Sequence, residues 1–172
     1  GVMHQEDNLE FNAWYAKFIE QKEADVSDLF ASKTATNFLM TWSIFETIHF
    51  GSFAKVADIQ SVSLVIANKS YVDFSSIDTA FKYFHNRYQD KSLKANLLHT
   101  QNIKRFEAIL GKNEVQATKY EKVEFLIYVV YRYRNNIFHG NKGVSSWLAF
   151  DKQITRCVNL MQAMLPELAK NA

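Results

Sequence analysis

A single proline, Pro166, and five glycines punctuate 172 residues. So few breakers cannot supply the many turns of a small β-barrel or sandwich, and they favour long, uninterrupted helices. Hydrophobic residues make up 48% and charged residues 22%, the balance of a globular chain rather than a disordered one. The length suits one domain, and no repeat, low-complexity run or linker divides it, so residues 1–172 read as a single domain.

Apolar periodicity places the helices. Leu9, Phe11, Trp14, Tyr15, Phe18 and Ile19 predict a first over 8–23. Asp25 or Ser27 would cap a second that runs to Gly51. Residues 53–68 predict a third. A fourth starts at Ser75 or Ser76 and ends near Tyr88, and a fifth over 92–110 is closed by Gly111. The sixth covers 114–139 and contains the run Phe125 to Tyr131, rich in β-branched residues and aromatics. No turn signal separates that run from its flanks, so length makes it a buried helix rather than a strand. Gly140 and Gly143 would end it, and a last helix over 145–169 opens at Ser145 or Ser146 and is kinked or stopped by Pro166. The expectation is an all-α bundle of about six to seven helices with long central ones.

Cys157 is the single cysteine, which excludes an intramolecular disulfide and a multi-cysteine zinc site and makes a reducing, cytoplasmic setting the simpler expectation. No stretch reaches the roughly 20 apolar residues of a membrane span. The N-terminus is acidic (Glu6, Asp7, Glu10), unlike a signal peptide. Charge is uneven. Residues 1–78 carry 5 Lys against 11 acidic residues, a net of −6, whereas residues 79–142 carry 12 Lys and Arg against 5 acidic residues, a net of +7. Either the two parts neutralise each other by packing, or the basic part meets a few phosphates of a polyanion.

Chemistry concentrates at the end of the sixth helix, in Tyr131-Arg132-Tyr133-Arg134-Asn135-Asn136-Ile137-Phe138-His139-Gly140. At roughly 100° per residue, Tyr131, Asn135 and His139 share one face, with Arg132 and Asn136 beside them. An imidazole can move a proton near neutral pH, and a guanidinium presents a fixed fork to phosphate oxygens. The bland alternative is that cations simply collect at a helix C-terminus. Glu46 lies in the apolar stretch 42–50 and would need a partner if buried, with Arg134 or Arg132 as candidates; it reads either as orienting the arginine or, the favoured reading, as a group on a wet face or in a structural ion pair. The run Phe81 to Tyr88 mixes aromatics with Lys82, His85 and Arg87. It reads either as core or as a surface on which single-stranded bases stack.

The string Arg134-Asn135-Asn136-Ile137-Phe138-His139-Gly140 resembles the signature of the HEPN superfamily, an arginine, four to six residues, then a histidine at a helix end in an all-α bundle. Arg134 and Arg132 both fit the spacing to His139. Arg134 is preferred because Asn135 supplies the polar residue that often follows. The resemblance implies a metal-independent endoribonuclease without cofactor, active as a homodimer with its site at the interface. In it the ribose 2′-hydroxyl attacks the adjacent phosphate and leaves a 2′,3′-cyclic phosphate. It further implies His139 as general acid or base, Arg134 as the charge stabiliser and Asn135 as an orienting group; Tyr131, Arg132 and Asn136 on the same helix end, and Glu46, are the candidate supporting residues that the sequence itself offers. The implied setting is a toxin or an anti-phage defence component, with a possible antitoxin protein. Members that have lost catalysis act instead as modules that bind nucleotide, RNA or a protein partner. Asn141 stands where some such toxins carry a modifiable tyrosine.

Overall fold

Val123, Phe125, Leu126, Ile127, Tyr128, Val129 and Val130 occupy consecutive turns of one helix and are all buried. A helix apolar on every side must be wrapped by its neighbours, and its surroundings set the architecture. The computed structural model describes residues 5–138 and 147–167. It is all-helical, and no strand occurs among the described residues. The α-helices are α1 (Gln5–Phe18), α2 (Glu23–Ala31), α3 (Lys33–Phe50), α4 (Ile59–Ala67), α5 (Phe74–Arg87), α6 (Lys91–Leu98), α7 (Lys104–Leu110), α8 (Lys119–Phe138) and α9 (Asp151–Ala163), with 3-10 turns at Val56–Asp58 and Glu114–Gln116. A short helical stretch at 147–149 precedes α9.

Helix α8 is the buried axis. Helices α4, α5, α6, α7 and α9 all pack on it, while α9 also packs on α3 and α5. Phe125 stacks on Phe106 at 4.7 Å between centroids and meets Phe81 edge-on at 5.3 Å. Its β-branched residues are poor helix formers in isolation, but burial on all sides outweighs a few tenths of a kcal/mol per residue of propensity. The N-terminus of α8 is fixed by a reciprocal pair. The Glu121 N–H donates to Thr118 Oγ1, and the Thr118 N–H donates to Glu121 Oε1, both at 3.1 Å.

Several predicted helices are split. The expected 25–51 helix breaks at Ser32, which is both the C-cap of α2 and the N-cap of α3, its hydroxyl accepting the Ala35 N–H. The expected 92–110 helix breaks at His99, whose φ of 53° lies in the region that side chains other than glycine rarely adopt. Residues 53–68 and 114–139 each yield a 3-10 turn before the helix proper. The bundle therefore has more and shorter helices than the six to seven expected. Gly51 and Gly111 do close α3 and α7, Gly51 with φ 71°. The cap of α5 is Asp73 rather than Ser75 or Ser76, whose own N–H groups donate to its carboxylate. Helix α9 stops at Ala163, before Pro166. Gly140, Gly143, Ser145 and Ser146 lie outside the described residues.

A second, small cluster joins α1 to α2. Ala16 and Val26 are its buried members, with Tyr15, Ile19, Leu29 and Leu148 against it. Among the described residues no helix is long and apolar enough to cross a membrane.

Candidate functional site

The last turns of α8 sort the two arginines. They stand two positions apart, about 200° around the helix, so one face cannot serve both. Arg132 turns inward and is only 6% exposed. Its Nε donates to the Leu97 carbonyl at the end of α6 at 3.0 Å, and an Nη donates to Asn136 Oδ1 at 3.0 Å. Asn136 Nδ2 donates to the same Leu97 carbonyl at 3.1 Å. Burial holds the Arg132 pKa below its ordinary value. Arg132 and Asn136 are thus a strap between α8 and α6, which occupies the groups that a substrate would use.

Arg134 is half-buried, and its Nη1 donates to Asn135 Oδ1 at 3.1 Å. The amide next to it in sequence therefore fixes one arm of its guanidinium. Tyr131 is half-buried with its ring 6.4 Å from that of Trp42 on α3. His139 and Asn141 lie outside the described residues. The described part of the expected constellation comprises Tyr131, Arg134 and Asn135 on α8, with Arg132 and Asn136 behind them.

Glu46 serves the backbone next to its own helix: its carboxylate accepts the Ala54 N–H at 2.9 Å and closes the turn after α3. The run Phe81 to Tyr88 is core rather than a stacking surface, since Phe81, Phe84 and Tyr88 are each at most 2% exposed. The ion pairs show where the charges of the basic segment go. Lys94–Glu107, Arg105–Glu124 and Lys112–Glu121 all lie within the basic segment. Among the described residues Lys122–Asp78 alone reaches into the acidic one. The strongest of these is Arg105, whose Nε and Nη2 grip the fully buried Glu124 carboxylate at 2.8 and 2.6 Å, with the Tyr128 hydroxyl adding a third donor at 2.9 Å. Hydrogen bonding to Glu124 raises the Arg105 pKa, and burial beside that carboxylate raises the Tyr128 pKa.

A cavity of about 270 Å³ opens beside the strap, between α5, α6, α8 and the start of α9. Asn136 and Ile137 of α8 border it, together with Arg87, Tyr88 and Tyr133. Residue spacing alone gives no sign of this cavity. The cation–aromatic mixture at Arg87-Tyr88 was its one trace in the sequence. No group of three His, Cys, Asp or Glu side chains with metal-ligand geometry occurs among the described residues. Compared with protein-family models, with curated proteins and with solved structures, the chain matches none.

Proposed function

We propose that this chain is a metal-independent endoribonuclease of the HEPN type, acting on RNA as a homodimer. The observation that carries the reading is the division of labour on α8. Arg132 turns inward onto Leu97 and Asn136, and Arg134, about 200° around the helix from it, is half-buried, held at one arm by Asn135 and five positions before His139. In the proposed reaction the 2′-oxygen forms a bond to phosphorus as the bond to the 5′-oxygen breaks. His139 takes the proton from the 2′-hydroxyl or supplies one to the leaving 5′-oxygen. Arg134 offsets the charge that builds on the phosphorane oxygens, and Asn135 holds it in register. The products are a 2′,3′-cyclic phosphate and a 5′-hydroxyl. The attacking group belongs to the substrate, so the step asks for no metal-activated water.

Pairing of two copies is supported by α3. Met40, Ile44 and Ile48 recur every fourth residue on one face, and each is at least half exposed. An apolar stripe of this kind marks an interaction surface. The same stripe, with exposed Phe11, Trp14 and Phe18 on α1, also supports the second reading. This is a non-catalytic module of the same type that binds nucleotide, RNA or a protein partner such as an antitoxin. The cytoplasmic toxin or defence role belongs to the first reading.

The deciding experiment incubates the full chain with mixed RNAs in the presence of a chelator. Fragments ending in 2′,3′-cyclic phosphate, lost in His139→Ala and Arg134→Ala, are expected. Cleavage that needs added metal, or that survives His139→Ala, overturns the ribonuclease reading. RNA binding without cleavage, weakened by Arg134→Ala, favours the second.

A further inference from the structure

The cavity beside the strap has an unusual polar balance. Its walls are mostly apolar: Leu93, Leu97, Ile137 and Ile154, with the rings of Trp147 and Phe150. None of its described lining residues is Asp or Glu. One full positive charge, Arg87, nonetheless sits in the wall. Its guanidinium carbon lies 5.9 Å from the Tyr88 ring centre and 5.8 Å from that of Phe150. Its Nε is buried and has no hydrogen-bond partner, and it is in none of the ion pairs among the described residues. A buried donor left without an acceptor is costly, and more so when it is charged.

A second donor stands on the same wall. The hydroxyls of Tyr88 and Tyr133 face each other at 2.8 Å. One must donate to the other, so the accepting hydroxyl has its own proton left to give. Burial raises the pKa of both phenols, that of Tyr133 to about 12, so both keep their protons at neutral pH. The guanidinium itself leans on these two hydroxyls, which leaves its Nε–H and the remaining phenol proton as the donors the wall offers. The nearby amide of Asn136 is already committed to Arg132 and Leu97.

We propose that this cavity binds a small aromatic monocarboxylate, its ring against Trp147, Phe150 and Ile137 and its carboxylate accepting from Arg87 and the Tyr88–Tyr133 hydroxyl pair. A single anionic charge matches the single permanent charge of the wall, the guanidinium, while Asn96 and the imidazole of His99, which also line the cavity, are neutral or weakly basic partners and not a second fixed cation. An aromatic body matches the aromatic rim, because ring–ring contacts add to simple burial. The volume admits a ligand of one or two rings and no more. This assignment does not depend on RNA cleavage. The ligand site and the arginine proposed for catalysis use different side chains.

The test is calorimetric titration of the full chain with benzoate, 2-naphthoate and indole-3-acetate, each against its neutral carboxamide, and with AMP. At least one carboxylate should bind saturably at one site per chain, and its carboxamide about tenfold more weakly or worse. Arg87→Met keeps an unbranched apolar stem over the two rings and removes the charge. It should cut carboxylate affinity about tenfold while leaving carboxamide affinity unchanged. If that variant fails to fold, the acid–amide comparison on the unaltered chain and the Tyr133→Phe variant decide. Tyr133→Phe should weaken the carboxylate alone. No saturable binding by any of the three acids, equal affinity for acid and amide, or tighter binding of AMP overturns the proposal.

Discussion

Arg132 and Asn136, one turn apart on α8, donate to a single acceptor, the carbonyl of Leu97, and are bonded to each other as well. The triangle fixes the end of α8 against the end of α6. It also gives the first prediction, a separation of stability from activity between two arginines that look equivalent in sequence. Arg132→Met removes two charge-assisted hydrogen bonds and should cost about 2–3 kcal/mol, roughly 5–10 °C in melting temperature for a chain of this size. Arg134→Ala should cost less than about 1 kcal/mol and yet abolish RNA cleavage. Thermal melts alongside a cleavage assay check both. A stable Arg132→Met and an unfolded Arg134→Ala would reverse the assignment.

Arg105 and Glu124 give a second. Glu124 is fully buried, and Arg105 is the cation that compensates it. Arg105→Ala leaves a carboxylate in the core and should destabilise by about 3 kcal/mol, the low end for a broken buried pair because Arg105 itself reaches solvent. Glu124→Gln on top of Arg105→Ala should recover most of that loss. Denaturant melts of the single and double variants measure the coupling.

The stability of the chain should fall as pH drops below about 6.5, and His49 should be one cause. Burial is the largest influence on this imidazole and lowers its pKa from 6.5, although its hydrogen bond to the Met164 carbonyl at 2.7 Å pulls the other way. The unfolded chain therefore binds the proton at a higher pH than the folded one. The stabilising difference is fully present above 6.5 and is lost as pH falls toward and through the folded value. His49→Gln does not titrate, so its melting temperature should fall less steeply than that of the unaltered chain between about pH 5 and 7. Equal slopes would exclude His49.

Cys157 is fully buried, and burial raises its thiol pKa well above the usual range. It should resist a thiol-specific disulfide reagent in the native state and react once per chain in denaturant. Rapid reaction under native conditions would show that α9 opens far more readily than its packing on α3, α5 and α8 implies.

If α3 mediates pairing, Ile44→Lys should shift the chain from dimer to monomer in sedimentation velocity while changing stability by less than about 0.5 kcal/mol, since the side chain is 52% exposed. A monomeric unaltered chain would remove α3 from consideration.

Much of the helical order was legible where the backbone itself signals. Gly51 ends α3 because its left-handed φ of 71° permits the chain reversal there, and Gly111 closes α7 in an ordinary right-handed conformation. The breaks at Ser32 and His99 carry no such signal. Both follow from where α3 and α6 must pack, and His99 tolerates an unfavourable φ to let the chain turn. The cap at Asp73 was missed because two serines next to it are equally good candidates by type, and a carboxylate that accepts from both their N–H groups prevails. Spacing alone also left Arg132 and Arg134 open. Burial sets their surroundings apart, and the burial of Arg132 depends on α6, some 35 residues away in sequence. Glu46 carried two readings, a partner for an arginine or a group on a wet face, and sequence alone did not separate them. An apolar neighbourhood in sequence did not mean a buried side chain, and its carboxylate was free to close a local turn.

Ser32 ends one helix and begins the next with no residue in between. The hairpin of α1 and α2 has its own small cluster, and Leu29 is the side chain of that hairpin which also reaches the main core. Loosening at this serine and at the contacts of Leu29 and Leu148 would let α1 and α2 peel away as a unit while the α8-centred body stays folded. Amide protons of α1 and α2 should then trade with deuterium in a common, early phase, and a protease would nick the junction before it reached any other helix.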